Sequence, residues 1–397
     1  MTGNHRQAPH EAPPLRVGVI GLGMAGSLMI SVIEGHPRCV LAAVAEPHAH
    51  LRERFVEDHA APACVDIRGV LERDDVDAVY IATPHQFHRE HTELAARHGK
   101  HVVVEKPMAL SLDDCDAMIE VAARHGITLI VGHTHSFDPA VHAMREMIAG
   151  GEYGRFMMAA SWNYTDFLYR PRRPEELDTS KGGGILFNQI PHQVDTMRYL
   201  NRARLRSVRA ATGMFDPVRP TEGACAVFLD FEDGSCATLN YSGYDRFDSD
   251  ELHGWVSEGG FHKRAAHGAT RRAWEAFGSA EQEAAARSER YGYGGPSAPA
   301  AQTPPHQPHF GVMVVSCEHA DLRQSADGVS VYTRDGASEI VLPKRGSRPG
   351  RSDVLDELWR AVRGGVAPVH DGKFARGTVE ASLAILRSAR ERREVVL

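Results

Sequence analysis

The chain is poor in cysteine: six in 397 residues (Cys39, Cys64, Cys115, Cys225, Cys236, Cys317), with no CxxC pair among them. So sparse a set in a chain this long reads as reduced thiols, which excludes a disulfide-framed fold. There is no apolar run long enough to span a bilayer. The opening MTGNHRQAPHEAPP has no apolar stretch of the kind a signal peptide needs, so residues 1–14 read as a disordered tail. From these absences a cytoplasmic protein is expected. A block of like charge is also missing. The formal charge of −7 is spread along the chain and offers no basic face for nucleic acid or an acidic membrane.

What is present is an ordinary globular balance, 42% hydrophobic and 24% charged. The length exceeds what one hydrophobic core usually serves, so two domains are expected. Up to about residue 137, short apolar runs alternate with helical patterns. RVGVI (16–20), VLAAVA (40–45), AVYIA (78–82), HVVVE (101–105) and TLIV (128–131) read as strands buried on both faces, with helices near 86–98 and 111–125. This is the mark of an α/β domain with a parallel sheet. Residues 138–397 predict an α+β domain with a largely antiparallel open sheet. Its expected elements are a helix at 139–149, strands FMMAASWNY (156–164), AVFLDF (226–231) and CATLNYSGY (236–244), and closing helices near 353–362 and 374–390. Within it, about 253–309 reads as a peripheral insertion: a charged helical stretch (265–289), then GGPSAPAAQTPPHQPH, too rich in proline for regular structure.

Gly21-Leu22-Gly23-Met24-Ala25-Gly26 is a GxGxxG motif between a strand and a helix. Gly21 permits the tight turn, Gly23 lets the backbone approach a diphosphate, and Gly26 lets helix and strand pack closely. The phosphates are expected on free N–H groups where the helix begins. Glu46, ending the next strand, is expected to accept hydrogen bonds from ribose hydroxyls and to repel a 2′-phosphate. NAD is therefore preferred, and Arg52 nearby leaves NADP open.

Three further segments carry chemistry. Ala82-Thr83-Pro84-His85-Gln86-Phe87-His88 and Glu105-Lys106-Pro107 both leave strand ends, where ligands bind in open α/β sheets. The third, GGGILFNQIPHQVD (182–195), opens a helix. Together these motifs resemble those of the glucose–fructose oxidoreductase, inositol dehydrogenase and MocA family: GxGxxG, an ATPxxxH-like turn, EKP and GGGxLxDxGxHxxD. The resemblance implies a Rossmann domain followed by a substrate domain. It also implies Lys106 beside the nicotinamide, with Thr83, Pro84, His88 and Glu105 on the cofactor side, and His192 and Asp195 in the acid–base group.

The residue chemistry agrees with that. Oxidising an alcohol requires a group to take the hydroxyl proton, which suits a histidine, and a cation to stabilise the developing alkoxide. Which of Lys106 and His192 is the general base stays open. Asp195, three residues after His192, shares its helix face and is expected to bind substrate or share the proton of His192.

The chain departs from the family pattern at Asn188, where the family usually has Asp, and at Ile190. Losing that carboxylate removes a repulsion that an anionic substrate would feel. Asn163, Tyr164, Arg170, Lys181, Asn188, Gln189 and His192 are the expected substrate contacts, with Arg172 and Arg173 adding positive charge suited to carboxylates. The text NYTDFLYRPRRPEELDTSKGGG resembles the dihydroxyphthalate dehydrogenase branch, which implies a cis-dihydrodiol dicarboxylate as substrate. The alternatives are a sugar or inositol dehydrogenase, an NAD-retaining sugar lyase or hydrolase, and a non-enzymatic dinucleotide sensor. No metal is expected: His85, His88 and His91 stand three apart, but no cysteine or carboxylate pattern accompanies them. His133 and His135, just past the last Rossmann strand, are candidates to face the pocket. An exposed sheet face in the second domain invites dimers or tetramers.

Overall fold

A computed structural model describes residues 12–293, 302–346 and 348–397. Residues 1–11 of the expected tail and 294–301 of the proline-rich stretch lie outside the described residues, and 12–14 have no regular structure.

The first domain runs β1 (Leu15–Ile20), α1 (Met24–Glu34), β2 (Cys39–Ala45), α2 (Ala49–Asp58), β3 (Ala63–Cys64), α3 (Ile67–Leu71), β4 (Ala78–Ile81), α4 (His88–Arg97), β5 (His101–Glu105), α5 (Leu112–His125) and β6 (Leu129–Gly132). The six strands are all parallel, in the order β3-β2-β1-β4-β5-β6. β4 is buried at every position and β5 at all but its first, because helices cover both faces. The strand order reverses between β1 and β4, and the carboxyl ends there open the crevice where such sheets bind ligands.

The second domain contributes α6 (Pro139–Gly150), β7 (Phe156–Tyr164), α7 (Gly184–Asn188), α8 (Ile190–Asn201), β8 (Leu205–Gly213), β9 (Ala224–Phe231) and β10 (Cys236–Ser242). After these come α9 (Ala269–Trp274), α10 (Ala280–Tyr291), β11 (Val312–Cys317), β12 (Asp321–Gln324), β13 (Gly328–Thr333), β14 (Gly336–Val341), α11 (Pro349–Gly364), α12 (Gly372–Glu391) and β15 (Val395–Val396). Nine strands form one sheet, β14-β13-β12-β11-β7-β10-β9-β8-β15, antiparallel except for the central β7–β10 pair. Its inner face packs on α6, α8 and α12, through Met144, Val194, Met197 and Ile385. Its outer face leaves Met158, Trp162, Phe228 and Tyr332 exposed.

Several expectations are corrected. The charged stretch 265–289 is two helices rather than one: Gly278 separates them and the Ser279 hydroxyl caps α10 at Gln282. The helix expected after the glycine run also divides, at Gln189, with Pro191 in the first turn of α8. The insertion is not peripheral. Tyr293, just after α10, packs on Phe55 of α2 and on His59 and donates to Asp58, while Glu258 meets His135 of the 134–137 turn. The last helices also cross back. Val354, Leu355 and Leu358 of α11 join the core of Leu15, Met29 and Phe55, and Ala375 and Val379 of α12 join that of Val102 and Val104.

Candidate active site

The nucleotide turn follows from backbone geometry. Gly21 has φ +98°, a conformation that L side chains rarely adopt. A Cβ at Gly26 would lie 1.9 Å from the Gly21 carbonyl oxygen, so α1 rests directly on the turn. At Gly23 a Cβ would meet nothing within 4 Å; Met24 after it is exposed and Ala25 is half-buried. Gly23 is the N-cap of α1 and supplies no side-chain cap, and no acidic residue stands in the first turn. Free N–H groups at a helix start whose first turn carries no acidic residue fit a dinucleotide's diphosphate. Glu46 is buried and accepts from the backbone N–H of Leu22 at 3.0 Å and of His48 at 3.1 Å, which braces the turn from the second strand. Arg52 donates to the carbonyls of Glu46 and Pro47, not to the carboxylate.

His88, expected toward the cofactor, is fully buried and placed otherwise. Its ring lies between the carbonyl oxygens of Thr83 (2.9 Å from Nε2) and Pro107 (3.0 Å from Nδ1), bracing the exits of β4 and β5. Thr83 Oγ1 meets His91 Nδ1 at 3.0 Å, and Pro84 opens the short turn His85–Phe87.

At the end of β5, Glu105 accepts from the Tyr80 hydroxyl, from Arg351 at 3.0 Å and from the backbone N–H of Lys106 at 3.2 Å. Burial alone would raise its carboxyl, but Arg351 and Lys106 hold it below the usual value. Lys106 Nζ donates to the Asn188 carbonyl oxygen at 2.9 Å, which joins the two domains across the cleft. Burial lowers the Lys106 ammonium, with Arg351 and Arg172 adding to the effect, against the opposing charges of Glu105 and Glu258.

His192 sits in the first turn of α8, only 6% exposed. Burial first, then the charges of Lys106 and His135, push it well below its ordinary value, so the ring is neutral. The His135 ring stands edge-on to it with centroids 4.7 Å apart, and Phe310 is 5.0 Å away. His135 lies between two carboxylates, Asp138 Oδ2 at 2.8 Å and Glu258 Oε1 at 3.0 Å. Burial opposes its charge, but the two acids raise it to about 9. His133 lies behind, buried, with neither ring nitrogen hydrogen-bonded among the described residues.

Asp195 does not share a proton with His192. It is fully buried, its Oδ1 accepting from Thr378 of α12 at 2.8 Å and lying 3.9 Å from His133 Nε2. The Asn188 side chain donates to the carbonyls of Gly184 (2.9 Å) and Gly182 (3.3 Å). Gln189 Oε1 accepts from Tyr241, Asn163 accepts from Ser249, and Arg170 pairs with Asp166 at 2.7 Å. Two expected contacts are not gathered in. Lys181 is 66% exposed and pairs with Asp178, and Tyr164 stands edge-on to Phe247 with its ring part-exposed. Glu258 and Arg351 were not foreseen; neither carries a local motif. Among the described residues no three His, Cys, Asp or Glu side chains form a metal site.

The Rossmann cradle and the cleft behind it match known proteins along most of the chain. Residues 15–133 match the model described as an oxidoreductase family with an NAD-binding Rossmann fold, and residues 141–261 match the Gfo/Idh/MocA C-terminal domain. The chain belongs to the Gfo/Idh/MocA family of oxidoreductases. It is an NAD-dependent dehydrogenase acting on CH–OH groups. Like this Gfo/Idh/MocA enzyme, a relative from Comamonas testosteroni matches over 381 residues at 40% identity, 95% of each chain; it is a 1-carboxy-3-chloro-3,4-dihydroxycyclohexa-1,5-diene dehydrogenase. A presumed dehydrogenase from Bordetella bronchiseptica RB50 has a solved structure that superposes with a TM-score of 0.92 at 45% identity, covering 97% of this chain and all of that one. An oxidoreductase from Agrobacterium radiobacter, solved with NAD+, L-tartaric acid and magnesium, shares the fold at 16% identity, TM-score 0.71, over 96% of this chain and 98% of that one.

Proposed function

We propose that this enzyme oxidises a vicinal cis-diol on a carboxylated cyclohexadiene ring, a dicarboxylate such as 4,5-dihydro-4,5-dihydroxyphthalate being the substrate that fits best. Arg172 carries this reading. It donates to the Phe167 carbonyl at 3.1 and 3.2 Å and lies 3.9 Å over the Phe167 ring, but no carboxylate among the described residues pairs with it. Burial and the neighbouring Arg170 depress the guanidinium to about 10, against the charge of Glu176, which acts on it without pairing directly. It lies close enough to Lys106 for their charges to interact. A ring carboxylate bound there would supply the missing charge and bring the diol toward Lys106. The Comamonas relative, named for a ring that carries a carboxylate and a vicinal diol, supports the same class.

The Gly21–Gly26 turn would hold NAD, which when bound would supply the hydride acceptor. Lys106 holds the reacting oxygen and stabilises its negative charge, its Nζ fixed in place by the Asn188 carbonyl. Nδ1 of His192 is turned into the protein, which leaves Nε2 to take the hydroxyl proton. Asp195 acts from behind, through its bond to Thr378, and orients α8. The ketone tautomerises to a catechol, and aromatisation draws the reaction forward.

The test is turnover of the dihydrodiol dicarboxylate in parallel with myo-inositol and a sugar, each with NAD. Arg172→Met should raise KM for the dicarboxylate about tenfold or more and leave a neutral dihydrodiol nearly unaffected. Preference for inositol in the unaltered enzyme overturns the reading. The outer sheet face bearing Met158, Trp162 and Phe228 supports self-association into a dimer or tetramer, measurable by light scattering.

A further inference from the structure

One carboxylate in the cleft has no role so far. Glu258 follows β10 and the short helical turn Ser249–His253, and it belongs to the segment that reads as an excursion in the sequence. One of its oxygens, Oε1, is 3.0 Å from His135 Nε2. The other makes no hydrogen bond among the described residues, and the side chain is 43% exposed although His135 beside it is nearly enclosed. Its charge acts on Lys106, on Arg170 and on His135, which places it inside the catalytic cluster. The other acids nearby are bonded or enclosed: Glu105 is held by Tyr80, Arg351 and the Lys106 backbone, Asp166 pairs with Arg170, and Asp195, bonded to Thr378 through Oδ1, is fully buried, so that its unpartnered Oδ2 does not face the open cleft as Glu258 does. At position 188 the side-chain amide is engaged by Gly182 and Gly184.

A vicinal diol brings two hydroxyls. One faces Lys106 and His192 and is oxidised; the other needs an acceptor, because a hydroxyl buried without a partner weakens binding. We propose that the free oxygen of Glu258 accepts the hydrogen bond of the hydroxyl that is not oxidised, with His135 and Asp138 as positioning residues that hold the carboxylate in place. The edge of the His135 ring against His192 ties this acceptor to the residue that takes the proton, so both hydroxyls of one substrate are placed by a single rigid unit. The assignment rests on the vicinal-diol reading above, though not on the ring or its carboxylates.

The experiment compares each diol with its analogue lacking the second hydroxyl, using two series: the dihydrodiol dicarboxylate and myo-inositol. Glu258→Gln should raise KM for the diol about tenfold, the worth of one charged hydrogen bond, and leave the deoxy analogue within about twofold of the unaltered enzyme. Glu258→Asp should recover part of the loss, and His135→Leu should reproduce the split with kcat falling as well. An equal loss on diol and deoxy analogue, with unchanged thermal unfolding, assigns Glu258 a purely structural role and overturns the proposal. If the unaltered enzyme oxidises inositol but not the dicarboxylate, the ring assignment fails while the inositol pair still decides on Glu258. Silence on both series overturns both.

Discussion

Lys106 reaches across the cleft to the backbone of Asn188, not to its side chain. The ammonium is therefore held by a group that cannot be mutated away, and its position depends on the path of the 182–189 turn. Replacing Lys106 with Met should lower kcat/KM about a hundredfold or more while NAD affinity, read by calorimetric titration, changes only a few-fold. A large loss of NAD affinity in that variant would mean the lysine holds the cofactor instead.

Both arms of the pH–rate profile should be displaced toward acid. His192 is held neutral by burial and by the charges of Lys106 and His135, so kcat/KM should stay level from pH 8 down through 6.5 and decline only below that. Lys106 must be charged to act, and burial lowers it, so the alkaline limb should begin below the ordinary lysine value. An acid limb centred at 6.5 that vanishes in His192→Asn would contradict this.

His135 works the other way for stability. Its folded-state value, raised to about 9, exceeds the unfolded one, so the folded state binds the extra proton. The stabilisation is complete below about pH 6.5 and is lost as pH rises through 9. The midpoint of urea unfolding should fall over that window, and the fall should be smaller in His135→Gln.

Cofactor choice should follow Glu46. Its buried carboxylate ends the second strand beside the nucleotide turn, with the His48 ring against one oxygen, and Arg52 is turned to backbone carbonyls. NAD should be preferred over NADP by tenfold or more in kcat/KM, on the order of 1.4 kcal/mol, and Glu46→Ser should narrow the ratio. An unchanged ratio would place discrimination elsewhere.

Glu283 accepts from Arg219 at 2.6 Å, from the Arg172 backbone at 2.8 Å and from Trp274 at 2.9 Å, all in a closed space. Glu283→Gln leaves the Arg219 cation buried without its partner and should cost about 3–5 kcal/mol by urea unfolding. A change under about 1 kcal/mol would show that water reaches the pair.

The parts legible in the sequence are those that local geometry dictates. Gly21 and Gly26 declare a turn because a side chain at either would strain or collide, and apolar runs such as HVVVE declare strands covered on both sides. Lys106, beside a strand end, was readable for the same reason. The reading failed where a partner comes from far along the chain. Spacing put Asp195 and His192 on one helix face, but the aspartate turns to Thr378, 183 residues later. Glu258 meets His135 across 123 residues and carries no local pattern that marks it. The short strands β12 to β14 are not marked locally either: β14 is exposed along its whole length and shows no alternation.

The return of α11 and α12 to the N-terminal half has a consequence for biosynthesis. Leu15 leaves the ribosome well before Val354 and Leu355, which share its core. The nucleotide-binding half must therefore wait, incompletely closed, until α11 and α12 have emerged, and nascent molecules stalled near residue 340 would present its unfinished core to chaperones.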